Sequence, residues 1–259
     1  MPRRRSLGLV SAAGSPADVT LESRAAGTAI VVEVSTPADL PLALARIGLV
    51  GSRPVLVVVG GADRLHPAIA RRLLDLFRDR LAPMLERLGA VVIDGGTDAG
   101  VMAVVGQARR QPGAGFSLVG VAARGTVQLP GEPVARGVPP EPNHTHLILV
   151  PGVAWGDEVP WIAAAASAVA GSRGSATLVA GGGRITERDI AASLSAGRPT
   201  LLLMGSGGSA DAAAAGTMRH PLLRRIAETD DWQALDALLP TLLGGGQAGN
   251  AEKNGIGRA

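Results

Sequence analysis

The 259-residue chain has no cysteine and no tyrosine, and aromatic residues make up 2% of it. Without cysteine there is no disulfide framework, no thiolate nucleophile and no soft metal ligand. That composition is compatible with the cytoplasm, where we expect the protein to reside. Lysine is nearly missing too, with Lys253 the single example. Almost nothing therefore titrates between the α-amino group and arginine, so a formal charge of +3 persists to high pH and yields a sequence pI of 10.7. This pI reflects missing groups and not a polyanion-binding face, and nucleic acid is the weaker expectation for a partner. The arginine-rich stretch with Arg71, Arg72, Arg78, Arg80 and Arg87 supplies surface charge that lysine does not. Long apolar runs are also lacking: Trp161 to Ala170 reaches about half a bilayer span and is mostly alanine, so no membrane segment is expected. Arg3-Arg4-Arg5 before Leu7 to Ala13 has the charge order of a secretion signal. Its apolar run is short and interrupted by Gly8 and Ser11, so residues 1–27 read as a flexible arm. The aperiodic, glycine-rich residues 244–259 read as a disordered tail, leaving 28–243 as a single domain.

Glycine is abundant, with 36 residues, and proline contributes 18. They bound apolar runs at 29–34, 55–59, 90–93, 117–122, 147–150, 176–179 and 200–204, several of them nearly continuous Val, Ile and Leu. Such runs suit strands buried on both faces. Between them lie helical patterns at 37–47, 67–88 with a break near Pro83, 101–110, 159–170 and 185–196, and further helices are predicted at 222–229 and 232–243. The alternation predicts an α/β fold, a doubly wound and mostly parallel sheet with helices on both faces. Two segments fall outside it: Arg124 to Asn143 and the loop from Pro151 to Glu158 around Trp155. Leu238, Leu239, Leu242 and Leu243 form an apolar helical face, either core or a surface for a homo-oligomer.

Four glycine turns close predicted strands: Gly60-Gly61, Gly95-Gly96 with Gly100, Gly181-Gly182-Gly183, and Gly205 with Gly207-Gly208. A glycine turn between strand and helix lets backbone N–H groups reach an anion, and the helix N-terminus adds partial positive charge. Asp94-Gly95-Gly96-Thr97-Asp98-Ala99-Gly100-Val101-Met102 and Gly181-Gly182-Gly183-Arg184-Ile185-Thr186-Glu187 are the fullest examples. A phosphate-bearing ligand is the expected partner. Asp94 and Asp98 flank the first of them, as groups for a ribose hydroxyl or a Mg²⁺ held against phosphate, with Asp98 also a helix cap. His144 and His146 stand two apart before a strand and point to opposite sides, which makes them a poor metal pair.

The ordered series VVVGGA, DGGTDAGVM, GVAARGTV, PNHTHLILV, WGDEVP and LVAGGGRITE resembles the SLOG superfamily. Within it the chain is similar to the prokaryotic relatives of the N-terminal cytosolic domain of melastatin-type TRP channels, the LSDAT type, over about residues 28 to 215. The resemblance implies a Rossmann-like sheet and a site for a nucleotide-derived ligand such as ADP-ribose, NAD or a related nucleotide. It implies phosphate-facing turns at Gly60, Gly61, Gly95, Gly96, Thr97, Gly100, Gly181, Gly182 and Gly183, with Thr97 and Thr186 adding hydroxyls. The channel pattern aromatic-Gly-x-Glu-x-Pro-x-Arg is present as Trp155 to Ile162 and ends on Ile162 where the channels have arginine, so Arg124, Arg136 or Arg184 would have to replace that cation. Trp155 is either a base-stacking ring or a plug at the core edge.

The related Lonely Guy phosphoribohydrolases carry PGGxGTxxE. Ala180 to Glu187 matches it loosely, making Glu187 the weak candidate for catalysis, as the acid of an N-glycosidic hydrolase paired with an arginine. The expected ligand-binding set is completed by Ala62, Val101, Met102, Gly125, Thr126, Asn143, His144, Arg184, Gly205 and Ser206. No cofactor is required in this reading, no metal site is expected, and Mg²⁺ would accompany a bound nucleotide.

Overall fold

Nine strands form one sheet in the computed structural model, which describes residues 21–22, 29–62, 65–132, 137–216, 219–227 and 232–244. The strands are β1 (Leu21–Glu22), β2 (Ile30–Glu33), β3 (Val55–Gly60), β4 (Val91–Asp94), β5 (Ser117–Ala123), β6 (His146–Val150), β7 (Ser175–Ala180), β8 (Thr200–Leu203) and β9 (Leu223–Ile226). Their spatial order is β1-β2-β6-β5-β4-β3-β7-β8-β9. Every pairing is parallel except β1 with β2. The chain lays β4, β5 and β6 on one side of β3 and then crosses to place β7 on the other, so the order reverses between β3 and β7.

The helices are α1 (Leu40–Arg46), α2 (Pro67–Leu76), α3 (Ala82–Leu88), α4 (Gly100–Arg109), α5 (Val159–Ala170), α6 (Arg184–Ser195), α7 (Gly208–Ala215) and α8 (Gln233–Gly244). Alternate β3 residues feed opposite cores. Val55, Val57 and Val59 pack with Leu44, Ile162, Ala165, Ile190 and Ala210 on the face of α1, α5, α6 and α7. Leu56 and Val58 pack with Leu76, Leu85, Val105 and Leu239 on the face of α2, α3, α4 and α8. The expected doubly wound α/β architecture, with helices on both faces, is thus present. No helix of the described residues is long and apolar enough to cross a membrane.

Several local expectations are corrected. The helix expected at 222–229 is β9 instead, because the backbone of this segment pairs with β8 through Thr200 N–H to Leu222 and Met204 N–H to Ile226. Exposed Arg224 and Arg225 keep this edge strand charged, which protects an unpaired edge. The helical run from Pro67 does not break at Pro83. A π-helical turn at Phe77–Leu81 widens the helix just before the proline, and α3 continues from Ala82. Helix α7 was not predicted, since its Gly-rich start and alanine body carry almost no amphipathic signal. Leu21–Glu22, within the expected arm, pairs with β2, whereas residues 1–20, 23–28 and 245–259 lie outside the described residues.

Candidate functional site

A cavity of about 830 Å³ opens where the strand order reverses, at the C-terminal ends of β3 and β7. Ligands of open α/β sheets settle at this crossing, and the volume is that of a small-molecule site. Close approach of the two strands depends on glycine. Gly60 lies opposite Ala180 in register, and a Cβ on it would stand 2.0 Å from the Ala180 carbonyl oxygen.

The two long glycine turns behave differently. In the turn after β4 most N–H groups are already used. Gly96 N–H donates to Asp94 Oδ1, Asp98 N–H to Pro139 and Ala99 N–H to Thr97, while the α4 first-turn N–H of Val101 donates to Gly61. Gly100 is required for packing: its φ is +50°, and a Cβ there would stand 1.7 Å from the Gly61 oxygen.

The turn after β7 is more open, although Gly181 N–H donates to Ser206 Oγ at 2.9 Å. Gly183 caps α6 with no side-chain hydrogen bond, and Gly182, Gly183, Arg184, Ile185 and Thr186 all line the cavity. The first-turn N–H groups of a helix have no partner within it, so α6 presents them there. Helix α7 offers less, because Ser209 and Ala210 N–H donate to the carbonyls of Gly182 and Gly181, and the Asp211 carboxylate takes the N–H groups of Gly205 and Gly207.

Of the expected ligand residues, Gly60, Gly61, Ala62, Gly95, Thr97, Met102, Trp155, Gly181, Gly182, Gly183, Arg184, Thr186 and Ser206 line this cavity. Gly96, Gly100, Val101, Arg124, Gly125, Thr126, Asn143, His144, Glu187 and Gly205 do not. Arg124 pairs with Glu132, and Arg136 lies outside the described residues. Glu187 accepts a hydrogen bond from the Ser209 hydroxyl. The cation that the cavity does receive from the expected set is Arg184, which is exposed.

His144 is 1% exposed and both ring nitrogens are engaged, Nε2 with Asp94 Oδ1 at 2.8 Å and Nδ1 with Glu141 Oε2 at 2.9 Å. Burial alone would lower its pKa, but the charges and hydrogen bonds of Asp94 and Glu141 outweigh that and hold it at about 9. The imidazolium has no nitrogen left for a ligand. Glu141 also accepts from the Asn143 backbone and side chain, which commits Asn143 to the same knot. Asp94 is fully buried, so it meets neither a ribose nor a Mg²⁺ in the cavity. The trio ties the end of β4 to the loop before β6, and its role here is structural.

Sequence reasoning missed the cavity's acidic wall. Glu158 and Asp189 both line it and are 8% exposed. Glu158 accepts the Gly156 N–H at 2.9 Å, yet burial raises its carboxyl above the usual carboxylate range. Burial, reinforced by the charge of Glu158 and opposed by Arg188, pushes Asp189 up to about 7. Helix periodicity held the clue: Asp189 lies four residues after Ile185 and three after Thr186, on the helical side that faces the cavity. Leu65, His66, Ile69, Val138 and Ile162 were missed as well.

No curated protein sequence matches the chain. Among solved structures, the molybdenum cofactor carrier protein MCP from Chlamydomonas reinhardtii is 19% identical with a TM-score of 0.51, covering 74% of this chain and 98% of that one. The structure of TM1055, a structural genomics target, is 21% identical with a TM-score of 0.48, covering 71% and 95%. The molybdenum cofactor binding protein from Rippkaea orientalis is 16% identical with a TM-score of 0.42, covering 60% and 78%. The sequence family described as SLOG in TRPM, prokaryote, matches residues 53–240, which takes in the whole cavity and leaves β1, β2 and α1 outside. The chain belongs to this prokaryotic SLOG family, LSDAT_prok.

Proposed function

We propose that the protein binds a nucleotide-derived ligand in the switch-point cavity, with ADP-ribose and NAD as leading candidates and no resident cofactor. The observation that carries this reading is the uncapped first turn of α6, flanked by Arg184 and opening into the cavity where the strand order reverses. Backbone N–H groups and the helix dipole bind phosphate there, and Arg184 adds a guanidinium in place of the one lost at Ile162. Trp155, 43% exposed at the rim, supplies a face for a base, while Leu65, Ile69, Ile162 and Ile185 offer apolar walls. Family membership supports the same reading. Hydrolysis through Glu187 has no such support, since that carboxylate stands outside the cavity.

Thermal-shift and calorimetric titration with ADP-ribose, NAD, ADP and AMP test the proposal. Binding of at least one is expected, weakened about tenfold or more by Arg184→Ala through loss of a charge-assisted contact. No response to any of the four at millimolar concentration would overturn it.

A further inference from the structure

We propose that Asp189 and Glu158 form an acceptor wall for the paired hydroxyls of a ribose whose phosphate sits at the first turn of α6. This rests on the ligand reading above and assigns the sugar's position within it. Asp189 is 8% exposed, lines the cavity, and makes no hydrogen bond or ion pair with any described residue. Its oxygens are not among the fully enclosed unpartnered atoms, so they keep access to the cavity and can accept from a ligand's hydroxyls. Glu158 stands on the same wall with its two oxygens sharing one Gly156 N–H, so acceptor capacity remains.

Spacing along α6 supports a sugar in particular. Asp189 is five residues beyond Arg184, about 7.5 Å along the helix axis. That separation suits one sugar ring between its phosphate and its diol. Ile185 and Ile162 line the space and present apolar surface to the ring. The wall also disfavours a second phosphate, because its two acidic side chains supply no positive charge to hold an anion. Polarity therefore runs one way, with anion at the α6 N-terminus and neutral donors further along.

The full chain and its Asp189→Asn variant would be titrated calorimetrically with ADP, 2′,3′-dideoxy-ADP and inorganic pyrophosphate. Wild type is expected to favour ADP over the dideoxy analogue by tenfold or more, and Asp189→Asn to reduce that preference to less than threefold while pyrophosphate affinity stays within threefold. If ADP and its analogue bind wild type equally, or the variant weakens both equally, the diol assignment falls and the phosphate site stands. If none of the three binds, the diol assignment falls, and the ADP-ribose and NAD titrations decide the phosphate site separately. Should Asp189→Asn melt far below wild type, the wild-type ratio of ADP to dideoxy-ADP decides by itself.

Discussion

His144 and Asp189 are both buried ionisable side chains, and they make opposite demands on pH. His144 rises from 6.5 to about 9 on folding, so its contribution is fully present below about pH 6.5 and is lost as pH climbs through 9. His144→Gln should therefore lower Tm strongly at pH 6 and much less at pH 10, measured by a pH series of thermal melts. Asp189 rises from 3.8 to about 7, so the folded state holds its proton more tightly and ionisation costs stability as pH rises through that window. The gap corresponds to roughly 4 kcal/mol at most. Asp189→Asn should leave Tm unchanged near pH 4 and raise it by several degrees at pH 8. A variant that melts lower at both pH values would show that the carboxylate carries a structural bond. Arg198 is a further buried charge, 2% exposed; it bonds to Ser175, Ser167 and the Ala163 carbonyl, and burial lowers its pKa to about 10.

At the scale of elements, two strand-turn-helix units of similar composition divide the work. The β4 turn is a packing joint, in which α4 donates into the β3 loop. The β7 turn leaves α6 uncapped. Stability should reveal this division. Gly100→Ala forces a Cβ onto the Gly61 carbonyl at a positive φ and is expected to cost more than about 2 kcal/mol. Gly183 has an extended φ of −138° and nothing within 4 Å of an added Cβ, so Gly183→Ala should change stability by under about 1 kcal/mol. Urea denaturation of the two variants checks both values. Equal losses would mean that the β7 turn is as tightly packed as the other.

Across the whole molecule, the sheet carries a helical layer on each side, and the cavity draws on both. Helices α5, α6 and α7 come from one face and α2 and α4 from the other, meeting beyond the C-terminal ends of the paired strands β3 and β7. The last helix closes the second core. Leu235, Leu239 and Leu243 are fully buried, and Leu238 and Leu242 pack against the same cluster, so the apolar face that suggested a homo-oligomer is used within the chain. Leu239→Ala should lower stability by about 2–5 kcal/mol in chemical denaturation without dissociating any assembly. Asp236, paired at the surface with Arg80 at 2.6 Å, is expected to contribute less than about 1 kcal/mol.

Buried apolar runs between glycine turns were enough to specify a parallel, doubly wound sheet, because a strand covered on both faces must be apolar along its length. Adjacent glycines likewise marked the turns at Gly60, Gly95 and Gly181, since backbone freedom is written directly in residue type. Strand order is not written there, and it decided that β3 and β7 flank the cavity. Partners distant in sequence also decided which candidates remain available: Asp94 and Glu141 engage His144, and Gly61 receives the N–H of Val101. LRRI is compatible with a helix when read alone, and pairing with β8 makes it a strand. Residue type does not separate Asp189 from nearby Glu187, whereas the docking of α6 turns one carboxylate into the cavity and the other toward Ser209. Local residue type determined where a ligand's phosphate can be approached, and tertiary packing determined which of those places stayed open.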